Sequence, residues 1–212
     1  DQRHGKQIRS VLHGLTDSPM VGVIIARAVG EHKIRMVATN LGNDAVPIDL
    51  KVGDSCSVLV LSGPNTGGKT VALKTAGLLL LMLRAGLHIP CHPDSRIHLF
   101  SSLFADIGDE QSIEEHLSTF SGHLTRLRMI LDEADKDTLV LFDEAGTGTD
   151  PGEGAALIIA AIDSLRERGS RVVLTTHLNM LKGYAQLHDD VENAAVEFDP
   201  ESLQPTYRLH YG

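Results

Sequence analysis

The sequence predicts an α/β fold: a mostly parallel central sheet flanked by helices, with antiparallel β hairpins added to it. Three observations carry this expectation. Short runs rich in Val, Leu and Ile alternate with longer segments whose apolar residues recur every three or four positions. A glycine-rich turn at 63–68 stands between one such run and one such segment. Late in the chain, two β-rich runs flank Asp199-Pro200-Glu201 with no helical segment between them.

The elements follow in order. Residues 1–16 are polar and basic without a clean period and read as a linker or frayed helix. Residues 21–28 and 33–38 are rich in Val and Ile and flank Val29-Gly30-Glu31-His32, the pattern of a hairpin. Residues 40–53 mix Gly, Asn, Asp and Pro and read as loop. From residue 57 the texture changes. Residues 57–61 form a short β-rich run, and 70–85 carry Leu and Ala at helical spacing up to Gly86, a helix-stop residue. Residues 97–104 read as a strand. Residues 112–134 read as an amphipathic helix, with Leu117, Phe120, Leu124, Leu127 and Leu131 three or four apart. A strand at 138–142, a helix at 154–168 ending at Gly169 and a strand at 171–175 complete the alternation. Residues 194–198 and 206–210 form the late antiparallel hairpin. The expected division is an N-terminal linker and hairpin region over 1–40 and one α/β domain over 41–212.

Bulk chemistry narrows the function. The 212-residue chain carries a net charge of −9, whereas a domain holding DNA by itself is expected to show a basic stripe. Aromatic residues make up 4% and Trp is absent, which disfavours stacking platforms for single strands. The longest apolar run, 76–83, stops at Arg84, too short for a bilayer. Residues 1–10 are charged and polar, so no signal peptide opens the chain. The expected setting is cytoplasmic, with Cys56 and Cys91 as reduced thiols. The chain does not begin with Met, the mark expected of a piece of a longer protein.

The chemistry concentrates in one turn. Gly63, Pro64, Asn65, Thr66, Gly67, Gly68, Lys69 and Thr70 fit the G-x-x-x-x-G-K-[ST] phosphate-loop pattern in full. A triphosphate needs several donors converging on a small anionic volume, and backbone N–H groups at a helix start supply them. The glycines let the backbone curl and approach without a Cβ clash. Lys69 puts a cation on the β- and γ-phosphates, and the Thr70 hydroxyl is the expected Mg²⁺ ligand. A second element supports the first. The apolar run 139–142 ends in Asp143 and Glu144. Asp143 is placed to bind the Mg²⁺ shell beside Thr70, and Glu144 to polarise an attacking water as general base. His177 ends the run 172–176, where its imidazole can meet a γ-phosphate. Eleven histidines without HExxH or paired Cys/His spacing argue against a zinc site. The cofactors expected are therefore ATP and Mg²⁺.

Longer blocks extend the match. GPNTGGKT at 63–70, DIGDEQS at 106–112 running to LSTF at 117–120, FDEAGTGTDPGEGAAL from Phe142, and TTH at 175–177 resemble the MutS family. GLHIP at 86–90 and the late VENAAVEFD and PTYRL segments are most similar to its second bacterial branch, MutS-two. The resemblance covers residues 59–212. It implies a P-loop NTPase of ABC type, working as a homodimer with two composite sites that each sandwich one ATP. On this reading Ser118 and Thr119 reach the γ-phosphate of the opposite subunit, Asp150 communicates across the dimer, and His177 is the switch histidine. Gln111 approximates the segment that senses Mg²⁺ and water. Ile48 stands where the family has Asn and offers an apolar wall to the base. Full-length relatives are expected to bind branched DNA and restrain homologous recombination, and some to act on stalled ribosomes. The clamp and the C-terminal Smr nuclease domain of the family have no counterpart in these residues, so the sequence reads as an excised ATPase core. Two other classes stay open: the ABC-type engine of an SMC-like or transport machine, and a nucleotide-gated binding module without turnover. Leu-Ser-Thr-Phe in place of Leu-Ser-Gly-Gly disfavours the first, and Glu144 disfavours the second.

Overall fold

A computed structural model describes residues 23–26, 36–39, 48–53, 55–92, 94–107, 116–199 and 204–212. For 23–26, 36–39, 65, 116–120, 204 and 205 it describes the backbone alone. Strands β1 (Val23–Ala26) and β2 (Met36–Thr39) pair antiparallel as a two-stranded sheet, the hairpin the sequence suggested. The segment 1–16 lies outside the described residues.

The rest builds one sheet from β3 (Val58–Ser62), β4 (Ser102–Asp106), β5 (Thr138–Phe142), β6 (Arg171–Thr175), β7 (Val191–Asp199) and β8 (Gln204–Tyr211). Its six strands lie in the order β4-β5-β6-β3-β7-β8. Every pairing is parallel except β7 with β8. Central parallel strands are covered on both faces, so they read as unbroken apolar runs rather than alternating ones. The run Val58-Leu59-Val60-Leu61 shows how. Leu59 and Leu61 join Leu139, Leu141 and Val173 in a core beneath helix α1 (Lys69–Arg84). Val58 and Val60 join Val140, Phe142, Val172 and Leu174 in a second core. Three helices cover that second face: α2 (His116–Glu133), α3 (Pro151–Glu167) and α4 (Asn179–Gln186). The architecture is three layers, helix on sheet on helix, with an α/β mixed sheet as expected.

Element boundaries moved where tertiary pairing or capping overrode local pattern. Helix α1 stops where Gly86 predicts, with Leu87 N–H on Met82 O and Gly86 N–H on Leu83 O, the paired bonds of a Schellman end. The expected strand at 97–104 is instead Ser102–Asp106, because its register is set by β5, Ser102 facing Thr138 and Asp106 facing Phe142. The preceding residues are tied to the α2–β5 turn: His98 Nε2 lies 2.6 Å from Asp137 Oδ1, and Ser101 Oγ donates to Asp137 O at 3.1 Å. Helix α3 begins three residues before expectation, since Asp150 caps it and Pro151 takes its first position. Helix α4 went unread. Its only signal is the spacing of Leu181, Tyr184 and Ala185, all buried.

Among the described residues no helix is long and apolar enough to cross a membrane. Both cysteines are free, and burial, before the nearby Glu192 charge, pushes the Cys56 thiol up to about 12.

One close approach fixes the loop after β5. A Cβ on Gly154 would sit 2.0 Å from Gly146 O, a backbone atom that cannot yield cheaply. The first turn of α3 and the 146–149 loop therefore touch backbone to backbone. Gly154→Ala is expected to destabilise the fold by about 3 kcal/mol or more, the upper end for an overpacked site. Urea unfolding of the pair measures it, and a midpoint equal to wild type would refute the close approach.

Candidate phosphate and carboxylate site

Because β3 to β7 run parallel, the C-terminal ends of β3, β4, β5 and β6 open on one edge of the sheet, where open α/β sheets place ligand-binding loops. The turn after β3 starts at Gly63 with φ 124, passes Pro64 and a 3-10 turn at Asn65–Gly67, and ends at Gly68 with φ 88, the N-cap of α1. Both φ values belong to the region that favours glycine. Space enforces the same choice. A Cβ on Gly63 would lie 2.7 Å from Val196 Cγ2, and one on Gly68 would lie 2.7 Å from Tyr207 Cδ1. The β7–β8 hairpin thus backs the turn on its inner side.

Lys69 opens α1 and is only 2% exposed. Its Nζ donates to Gly63 O at 2.7 Å, so the side chain bridges the mouth of the turn. Burial lowers the pKa of this ammonium from its ordinary value; the charges of Glu144 and then Asp143 oppose that shift, and Lys182 on α4 adds to it. The cation is therefore held in a field set mainly by the two carboxylates. Thr70 follows, half-buried in the first turn of the helix, while Pro64 and Thr66 are exposed. The Asn65 side chain lies outside the described residues.

Asp143 and Glu144 leave the end of β5 two strands away from the turn, with β6 between. Asp143 Oδ1 accepts the Thr175 hydroxyl at 2.6 Å, and Asp143 N–H donates to Asp106 O at 2.9 Å. Glu144 has φ 49, a left-handed backbone that a non-glycine residue adopts only when its surroundings impose it. Its N–H donates to Thr175 Oγ1 at 2.7 Å. Glu144 Oε1 stands 3.8 Å from His177 Nε2, and both side chains are partly open to solvent. The strand ends thus bring Asp143, Glu144 and His177 into one cluster, electrostatically coupled to Lys69.

The other residues singled out in the sequence fall in three groups. Asp150 is exposed and serves α3 as N-cap, accepting from Gly152 N–H at 2.9 Å and Glu153 N–H at 3.2 Å. Ser118 and Thr119 lie in the backbone of helix α2, and their hydroxyls lie outside the described residues, as does Gln111. Ile48 corrects its expectation. At 2% exposure it packs in the core beneath α1 with Leu50, Leu59 and Leu73, so it presents no wall to a base.

Three residues near the site were given no role of their own in the sequence reading. Tyr207 has φ 57 and sets its ring against Gly68. Thr175 joins both carboxylate residues. Asp106, at the end of β4, lies 2.6 Å from His123 Nδ1 and 3.1 Å from Arg126 Nε, and helps line a pocket whose wall also includes Phe142, Asp143 and Glu144. Asp106, Thr175 and Tyr207 fall inside the DIGDEQS, TTH and PTYRL blocks, yet their individual roles were not legible there, because each acts through a partner distant in sequence.

Comparison with known proteins identifies the family. Residues 59–211 match the family model described as MutS domain V. The chain is similar to the Endonuclease MutS2 of Halothermothrix orenii, 50% identical over 210 residues, covering 99% of this chain and 25% of that protein. It is similar to those of Halalkalibacterium halodurans, 58% identical over 170 residues, and Carboxydothermus hydrogenoformans, 58% over 172; these matches cover 80% and 81% of this chain and 22% of each relative. The chain therefore spans about a quarter of the length of the curated relatives it matches.

Proposed function

The chain belongs to the MutS domain V family, and from that premise and the site's geometry we propose that residues 41–212 are an ABC-type P-loop ATPase domain that binds and hydrolyses Mg-ATP. The observation that carries the reading is the buried Lys69 ammonium at the mouth of a glycine turn, coupled to the Asp143–Glu144 pair. A cation is rarely buried without a task or a partner. Here it lies where the N–H groups of a 16-residue helix converge.

The roles divide by position. The turn 63–68 and the start of α1 receive the phosphates, with Lys69 on the β- and γ-oxygens. The donor set suits Mg²⁺: one carboxylate and one hydroxyl, with the remaining positions left to phosphate oxygens and water. Thr70 and Asp143 would hold the ion, which supplies charge neutralisation on the phosphates. Glu144 takes a proton from water as its oxygen attacks the γ-phosphorus and ADP departs. His177, 3.8 Å from Glu144, would hydrogen-bond the γ-phosphate from beside that carboxylate.

Ser118 and Thr119 of a second copy would complete each site, making the active form a homodimer with two composite sites. Asp150, at the exposed start of α3, would meet the partner there. For the whole protein we carry forward DNA as the partner of segments outside this domain, a role in restraining recombination or handling branched DNA, and action on stalled ribosomes. A charge of −9 fits an engine that leaves DNA contact to other segments.

Phosphate release by the purified chain tests the proposal. Release is expected to require Mg²⁺, to stop on chelation with EDTA, and to rise faster than linearly with protein concentration, since two copies build each site. Release that ignores EDTA would contradict the metal assignment, and a strictly linear dependence would contradict the composite site.

A further inference from the structure

Glu144 keeps a left-handed backbone, φ 49, at the position assigned to the base. Such a conformation persists only where neighbours over-determine it. The neighbours here come from the end of β6. Thr175 is fully buried, and its hydroxyl accepts from Glu144 N–H at 2.7 Å while donating to Asp143 Oδ1 at 2.6 Å. Its carbonyl accepts from Ala145 N–H at 2.9 Å. One residue thus grips three consecutive residues of the acidic corner, two of them through a single oxygen.

We propose that the Thr175 hydroxyl is a positioning residue that aims both carboxylates: it commits Asp143 Oδ1, leaving the other oxygen for the metal, and it holds the Glu144 backbone in the turn that presents its carboxylate beside His177. The inference deepens the ATPase reading and rests on it. A hydroxyl is suited to the task because it donates and accepts at once, which neither a methyl nor an ammonium can do. Residues that orient metal ligands typically govern metal affinity or activity by about 10- to 100-fold.

The test compares wild type with Thr175→Val, which keeps the shape and removes the hydroxyl, and Thr175→Ser, which keeps the hydroxyl. Steady-state ATPase rates are measured against ATP, and Mg²⁺ binding is measured without turnover by calorimetric titration of the metal into the chain holding a non-hydrolysable ATP analogue. Thr175→Val is expected to lose about 10- to 100-fold in kcat and to need more Mg²⁺ for half-saturation. Its KM for ATP should stay within about threefold, because the turn and Lys69 are untouched. Thr175→Ser is expected to recover most of kcat. Thr175→Cys, whose thiol fills the space but hydrogen-bonds weakly, is measured alongside and is expected to fall with valine, which keeps the comparison decisive if valine prevents folding. Equal losses in the serine and valine variants would overturn the inference, because the hydroxyl would not be the cause. Wild-type turnover with unchanged kcat and Mg²⁺ requirement in the valine variant would overturn this inference alone. A wild-type chain without Mg²⁺-dependent turnover would overturn the ATPase reading and this inference together.

Discussion

Lys69→Ala is expected to lower affinity for Mg-ATP by about 100-fold or more. The estimate rests on the ordinary value of hydrogen bonds from a charged donor, roughly 1.5–3 kcal/mol each, with 1.4 kcal/mol for every tenfold in affinity. One ammonium meeting two phosphate groups reaches about 3 kcal/mol. Burial strengthens the case. The Lys69 pKa is already lowered by desolvation, with Glu144 and Asp143 holding the charge in place. A polyanion entering the turn would add attraction where water competes weakly. Alanine also removes the bridge from Nζ to Gly63 O, so loss of helix α1 must be checked by circular dichroism. Calorimetric titration of Mg-ATP into both proteins gives the answer. Equal affinity in a folded variant would show that the turn does not hold the triphosphate.

Glu144→Gln is expected to retain ATP while turnover falls by about 10² to 10⁴, the usual contribution of a positioned general base. Glutamine matches the side chain in length and can occupy the same left-handed turn, since the Thr175 bond goes to the backbone N–H. What disappears is the capacity to take a proton. Removing a negative charge beside the phosphates also leaves binding unchanged or tighter. The variant should therefore accumulate in its ATP-bound form and sediment as a dimer with Mg-ATP and as a monomer without it. Single-turnover measurement of phosphate release separates the chemical step from binding. Unchanged release would remove Glu144 from its role and leave the reaction without an assigned base.

The site was legible where its chemistry is local. The glycine turn is contiguous because a helix N-terminus and the loop before it are adjacent by construction, so eight consecutive residues spell out the pattern. Asp143 and Glu144 were readable for a related reason: an apolar run that ends in carboxylates can hardly be anything but a buried strand reaching an edge. Strands β5 and β6 fell where the pattern placed them, their runs being apolar on both faces. Ile48 was misread because the loop pattern over 40–53 says nothing about which way a single side chain in it points. Packing against Leu73 and its neighbours decided that.

By itself, then, the amino-acid order determined the α/β alternation, the glycine turn and the two acidic residues, since each follows from bonds and spacings within a few positions. Tertiary structure alone decided the strand order, which puts β6 between the turn and the acids and so inserts Thr175 into the acidic corner. It likewise decided the seat of Tyr207 against Gly68, 139 positions earlier in the chain (207 − 68). The physical reason is the same for both. Sheet register and burial are settled by the whole core at once, and no local window of sequence contains the partners that compete for each place.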